Sequence, residues 1–331
     1  MKEIVSSKCD VLISNMEKLS KEFKWNDSLI NVAAALVFSS ADRDVDVEKV
    51  KECKNLIAKN TGVFSSFRST AEPIIASKMS VAADPLQYLN DLKMVYEKVS
   101  KGMFSDSSYM IQAAISLCDA DKVLYADTYV AKFKELYKKM SKEHPILTSS
   151  EDMAFAMLLV LTDKPVDTII REMEECYNYL KKTLKVKVGT NEMQGLSEVL
   201  AMTDGNLLEK CDKVVNIYNT FASHGQKYGA EYNEFASLAA LIDIDIDTDD
   251  LVDEIIETAE YLKNKKGFGG WSMDRKQRLM FAAMIVADAY NADGAVTTYS
   301  AINSTVAMVI AEEVAIMICM MTVATVATTT N

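Results

Sequence analysis

Helix breakers are scarce: four prolines and eleven glycines in 331 residues leave little room for flexible linkers. Paired cysteines are missing as well. Cys9, Cys53, Cys118, Cys176, Cys211 and Cys319 each stand alone in an apolar helical pattern, with no CxxC pair and no histidine at ligand spacing. They read as reduced packing residues in a cytosolic protein, not as a disulfide framework or a zinc site. Positive charge is in deficit, with a net charge of −12 and a pI near 4.8, and such a surface repels a phosphate backbone, so nucleic acid is not an expected partner. An uninterrupted apolar leader is lacking too. Met1–Ser7 is followed by Lys8 and Asp10, so the expected location is the cytoplasm.

What the chain does have is a period. Tyrosines fall at Tyr96, Tyr137, Tyr177, Tyr218 and Tyr261, about 41 residues apart, and Leu56 holds the same slot one period before Tyr96. A second marker keeps the same register: Leu117-Cys118-Asp119, Leu161-Thr162-Asp163, Met202-Thr203-Asp204 and Leu241-Ile242-Asp243 each close a shorter, alanine-rich stretch. Each unit therefore reads as a hairpin of a short helix A and a longer helix B, the tyrosine lying in the last third of B. Small residues such as Ala33-Ala34-Ala35 and Ala239-Ala240 let neighbouring A helices approach closely. Helix B alternates at helical period, as in Val214, Val215, Ile217, Tyr218 and Phe221 between Lys213, Asn216 and Asn219.

The predicted fold is all-α, with about seven hairpins starting near Trp25, Ser65, Ser105, Thr148, Thr190, Ala230 and Trp271. We expect a single helical-repeat domain over 1–331: a capping helix in 1–24, hairpins over 25–297, and an Ala/Met/Val-rich helix over 298–331. One hairpin cannot bury its own apolar face, so the hairpins must stack, either as an open α/α solenoid or as a closed α/α toroid. Trp25 and Trp271 occupy equivalent positions before the first and last A helices and would be neighbours if the ends meet.

Candidate chemistry is sparse. Asp243, Asp245, Asp247 and Glu254 resemble a calcium loop in spacing, but Thr248 stands where that loop needs glycine, and Ile244 and Ile246 are apolar, so helix capping is the better reading and no metal or other cofactor is expected. His144 and His224 each close a helix B, where a cation is favoured. The B-to-A loops would emerge along one edge of any stacked array. Their candidates for binding a ligand or partner are Trp25, Ser65, Ser66, Phe67, Arg68, His144, Ser149, Trp271, Arg275 and Arg278. The same loops serve as helix punctuation, with Gly62, Gly102, Gly225 and Gly267 as C-caps and hydroxyl residues as the next N-caps. Arginine is rare, five against thirty-one lysines, and three of the five lie near these loops, where a planar fork suits carboxylate or phosphate as well as an internal ion pair.

Beyond Arg278 there is no basic residue. Val314 to Ala327 is an uncharged run of fourteen, short of the roughly twenty residues that span a bilayer. A longer span would carry Glu312 and Glu313 into lipid, so a buried helix that caps or plugs the array is favoured over a membrane anchor.

Three strings, KNTGVFSSFRS from Lys59, EHPILTSS from Glu143 and KKGFGGWSMDRKQRLMFAA from Lys265, resemble the bacterial family known as domain of unknown function 4003. The resemblance extends over nearly the whole chain and implies a bacterial cytosolic protein, with no activity to carry over. On the residues themselves, an interaction scaffold with a protein partner is the leading expectation. The alternatives are an α/α-toroid enzyme or small-molecule binder at the B-to-A rim, and a membrane-docking protein that uses the C-terminal helix.

Overall fold

A computed structural model describes residues 1–23, 28–39, 43–62, 65–68, 71–103, 108–184, 188–229, 232–269 and 273–292. The described residues form fourteen α-helices and no strand. After α1 (Glu3–Phe23), short and long helices alternate: α2 (Ser28–Ser39), α3 (Val47–Asn60), α4 (Glu72–Val81), α5 (Pro85–Ser100), α6 (Ser108–Asp119), α7 (Ala126–Glu143), α8 (Asp152–Leu161) and α9 (Val166–Leu184). Then follow α10 (Thr190–Met202), α11 (Leu207–Ser223), α12 (Tyr232–Ala236) with its 3-10 continuation Ser237–Leu241, α13 (Thr248–Lys263) and α14 (Arg275–Ala292).

The long helices bury one stripe. In α7 the buried residues are Ala126, Tyr129, Val130, Phe133, Leu136 and Met140, the i, i+3, i+4, i+7 spacing of an amphipathic helix. The short helices bury every side over most of their length. All of 29–35, 73–80, 110–117, 152–160, 193–202, 234–242 and 278–287 is buried.

Local chemistry fixes the boundaries. Asp46, Asp84, Asn206 and Asp247 each accept from backbone N–H groups in the first turn of a long helix. Asp163 closes α8 at φ 62°, the left-handed turn in which aspartate is tolerated, whereas after α6 and α10 the left-handed residue is Asp121 and Gly205, two and one places beyond the Leu-x-Asp or Met-x-Asp string. Gly102, Gly225 and Gly267 take positive φ as the punctuation reading requires. Gly62 does not, because Thr61 ends α3 in an extended conformation and the chain leaves without a left-handed residue.

The chain falls into two compact units, whose described residues are 1–45 with 173–292, and 46–172. In the first, α1 packs on α2, α13 and α14. Polar contacts line this seam: Tyr261 donates to Asp10 at 2.5 Å, Lys8 pairs with Asp288 at 3.0 Å, and the Lys2 ammonium lies 4.1 Å from the centre of the Tyr290 ring. Gly267 lies so close to α1 that a Cβ there would meet the Met16 thioether. In the second unit α3 packs on α4, α5 on α6 and α6 on α8. Here the aspartates at the ends of the short helices clamp successive elements. Asp119 accepts from Tyr88 at 2.7 Å and from Lys78 at 2.6 Å, and one period later Asp163 accepts from Tyr129 at 2.8 Å.

Candidate functional site

The candidate loop residues are placed as follows. In the second unit Ser65, Ser66, Phe67 and Arg68 form one 3-10 turn, in which the Ser65 hydroxyl accepts from the Phe67 N–H at 3.3 Å. Phe67 is buried and meets Tyr96 edge-on, 5.2 Å between ring centres, while Ser66 shares a hydrogen bond with the Tyr96 hydroxyl. Arg68 remains partly exposed beside Glu72. Burial raises the Glu72 carboxyl above the usual range, against the pull of Lys54 and Arg68.

His144 ends α7, its N–H donating to Met140 O at 2.8 Å, and Thr148 N–H donates back to His144 O at 2.9 Å. Ser149 lies in the turn before α8, where Asp152 accepts from the Ser149 N–H at 2.5 Å and the Ser149 hydroxyl accepts from Glu151 N–H at 3.2 Å. Beside it Glu151 is raised by burial and then by Asp152, and Tyr109 on the neighbouring α6 is raised by burial and then by Glu151.

In the first unit Arg275 is exposed at the start of α14, and Arg278, one turn on, is buried. Trp25 and Trp271 lie outside the described residues, as does the segment 298–331. The acidic run does what a helix start favours. Asp247 accepts from Asp249 N–H at 2.8 Å and from Asp250 N–H at 3.4 Å, and Glu254 is drawn into the core, accepting from Lys2 N–H at 2.6 Å and the Tyr290 hydroxyl at 2.5 Å. His224 both closes α11 and bridges to α13, its two ring nitrogens each 2.8 Å from a carboxylate, Asp253 and Asp249. Bonding to Asp249 foremost, and to Asp253, raises its pKa.

The Cys9 and Cys53 thiols are held protonated. Burial raises Cys9 to about 12 and Cys53 to about 11, the opposite of what an activated nucleophile needs.

What sequence reasoning missed is a register of buried polar side chains on the short helices and on α14, which at 18 residues is longer than the short helix expected there. In the first unit it comprises Asn31 on α2, Gln194 and Glu198 on α10, Glu234 on α12 and Arg278 on α14; in the second, Ser77 and Lys78 on α4, Gln112 on α6 and Asp152 on α8. From Gln112 onward one such residue recurs every 40 to 44 positions, at 112, 152, 194, 234 and 278. These five lie in the N-terminal half of their helix, the end that the B-to-A loops feed, whereas Ser77, Lys78 and Glu198 lie in the C-terminal half of theirs. In the first unit α10 packs on α12, and α12 on α14. Glu198 is fully buried and accepts from Gln194 Nε2 at 3.1 Å. The Glu234 carboxyl folds back over Gly229, where a Cβ would collide with it. A carboxylate taken out of water costs several kcal/mol in effective desolvation, and apolar side chains of equal volume often serve stability as well or better. Some members of the register have structural partners: Asp152 accepts from Ser149 N–H in the turn before α8, and Lys78 pairs with Asp119.

No helix among the described residues is long and apolar enough to cross a membrane. No curated protein and no solved structure matches the chain. Over residues 15–315 the sequence fits the profile of a family described only as a protein of unknown function, DUF4003, and with nine-tenths of its length matched the chain belongs to that family.

Proposed function

We propose that the short helices form the inner layer of a closed α/α array and that the protein binds a polar small molecule through the polar side chains buried on them. The observation that carries this reading is the set Gln194, Glu198, Glu234 and Arg278, buried on three successively packed helices of one unit. An open scaffold would offer a partner the free face of its short helices, and in these helices all sides are covered over most of their length. Amides, carboxylates and a guanidinium together suit a ligand that both donates and accepts, such as a sugar, an amino acid or a hydroxy acid.

The test is a thermal-shift screen of the full chain against sugars, polyols, amino acids and organic acids, since a ligand that binds only the folded state raises its melting temperature. A compound that stabilises the wild type and fails to stabilise Glu198→Gln supports the reading. A flat response throughout, with a stoichiometric protein partner retained from the native host, overturns it. Closure has its own test: energy transfer between Trp25 and an acceptor placed at 271 should report a short distance.

A second reading rests on a different surface. In the second unit Leu124 and Tyr125 are 94% and 62% exposed at the turn before α7, and such apolar side chains suit contact with a protein. If they dock a partner, Leu124→Asp should abolish its capture.

A further inference from the structure

The stretch 263–278 reverses the sign of the chain. It carries Lys263, Lys265, Lys266, Arg275, Lys276 and Arg278 against Asp274 alone, a local charge of +6 − 1 = +5, so the remaining residues sum to −12 − 5 = −17. Lys263 pairs with Glu260 at 2.9 Å, so the cationic excess of this stretch lies in Arg275, Lys276 and Arg278 at the start of α14, where it favours a small anion on an otherwise acidic chain.

Arg278 supplies a buried donor at that place. It is 5% exposed, and its Nη1 donates to Phe268 O at 3.1 Å and Met273 O at 3.4 Å. Those bonds tie Phe268 and Met273 to α14, and both acceptors are neutral carbonyls. Its Nε is buried and meets no acceptor. A staple explains Nη1 and leaves Nε unexplained. A guanidinium presents Nε–H and a neighbouring Nη–H side by side, in the spacing of two oxygens of one carboxylate or phosphate. The field is felt on the adjacent α13, where the Glu260 carboxyl is held below its usual range by Lys263 first and then by Arg278 and Arg275.

We propose that Arg278, flanked by Arg275 and Lys276, is an anion site that grips the carboxylate or phosphate group of a small molecule. This deepens the small-molecule reading by naming the group the ligand carries, and it can fail alone.

The experiment follows nuclear relaxation of two probes, inorganic phosphate through 31P and labelled acetate through 13C, titrated with the full-length protein at constant ionic strength. Saturable broadening of at least one probe is expected, weakened at least tenfold by Arg278→Gln and also weakened by Arg278→Lys, which keeps the charge and loses the fork. Which probe responds distinguishes a phosphate from a carboxylate ligand. Arg275→Gln alters an exposed position and keeps the test open should Arg278→Gln fail to fold; it should weaken binding severalfold. Absence of saturable broadening with both probes, or equal affinity in every folded variant, overturns the proposal. Neutral compounds that still stabilise the protein in the thermal screen would leave the broader reading standing without it.

Discussion

Lys210 tests whether the ends of the short helices are held by charge. Its side chain reaches back from the first turn of α11 to the end of α10, where the ammonium donates to Leu200 O at 2.7 Å, Thr203 O at 2.8 Å and the Thr203 hydroxyl at 2.9 Å, with 6% of the residue exposed. The last carbonyls of a helix have no intrahelical partner, and a cation there also meets the negative end of the helix dipole. Lys210→Met keeps the length and most of the volume of the side chain, so the cavity term is small. Each hydrogen bond to a charged group is worth about 1.5–3 kcal/mol. Part of that gain is offset by the desolvation of the ammonium, which methionine does not suffer. We therefore expect a net loss of about 2–4 kcal/mol, the larger part from the three bonds of the ammonium, although Leu200 O keeps the Thr203 hydroxyl as a donor at 3.1 Å. At roughly 2–4 °C per kcal/mol for a unit of this size, the melting temperature by calorimetry should fall by about 4–16 °C. Lys213→Met is the control. That lysine is exposed and donates once, to Ile242 O at 3.0 Å, so its loss should cost less than about 1 kcal/mol. If Lys210→Met destabilises no more than Lys213→Met, the reasoning fails.

Asp119→Leu should destabilise the second unit by about 2–4 kcal/mol, because Lys78, 8% exposed, would keep its charge and lose the carboxylate 2.6 Å away; urea midpoints unchanged beside those of Asp127→Leu, which removes the exposed partner of Lys98, would refute this. Gly267→Ala places a Cβ at φ 85° and against Met16, and should cost about 1–2 kcal/mol from the backbone alone, with Met16→Ala relieving the contact but not the strain. His224 carries a pH dependence of defined sign. Its folded pKa is raised above the ordinary 6.5, so its contribution is fully present below that value and is lost as pH rises through the folded pKa. The melting difference between wild type and His224→Gln should therefore shrink as the pH climbs above 6.5, and an imidazole titration with its midpoint at or below 6.5 would contradict the bridge.

The organisation into short and long helices was legible because two markers obey local rules. Tyr96, Tyr137, Tyr177, Tyr218 and Tyr261 all lie late in long helices, and the Leu-x-Asp strings stand at the ends of short ones, where Asp163 takes a left-handed turn and Asp119 and Asp163 accept from the neighbouring element. Capping by Asp247 was legible for the same reason: an N-cap depends on residues two and three places away. Contacts between distant positions were not. Nothing in the spacing of Asp243, Asp245, Asp247 and Glu254 shows that Glu254 turns inward to accept from Lys2 and Tyr290, 252 and 36 residues away.

The polar register was hidden by a rule that is usually sound. In α8, DMAFAMLLVL, the apolar residues run all round, and such a helix is read as buried. In α10, TNEMQGLSEVLAM, the same reading assigns Gln194 and Glu198 to a wet face, yet everything from Met193 to Met202 is covered. Two helices of similar length and equal burial thus differ in what they bring inside, one mostly methyl groups and the other an amide and a carboxylate. Measuring polar residues with the 41-residue ruler that found the tyrosines would have aligned Gln112, Asp152, Gln194, Glu234 and Arg278. Only burial shows that the members of this alignment lie inside, where alanine or leucine would pack at lower cost.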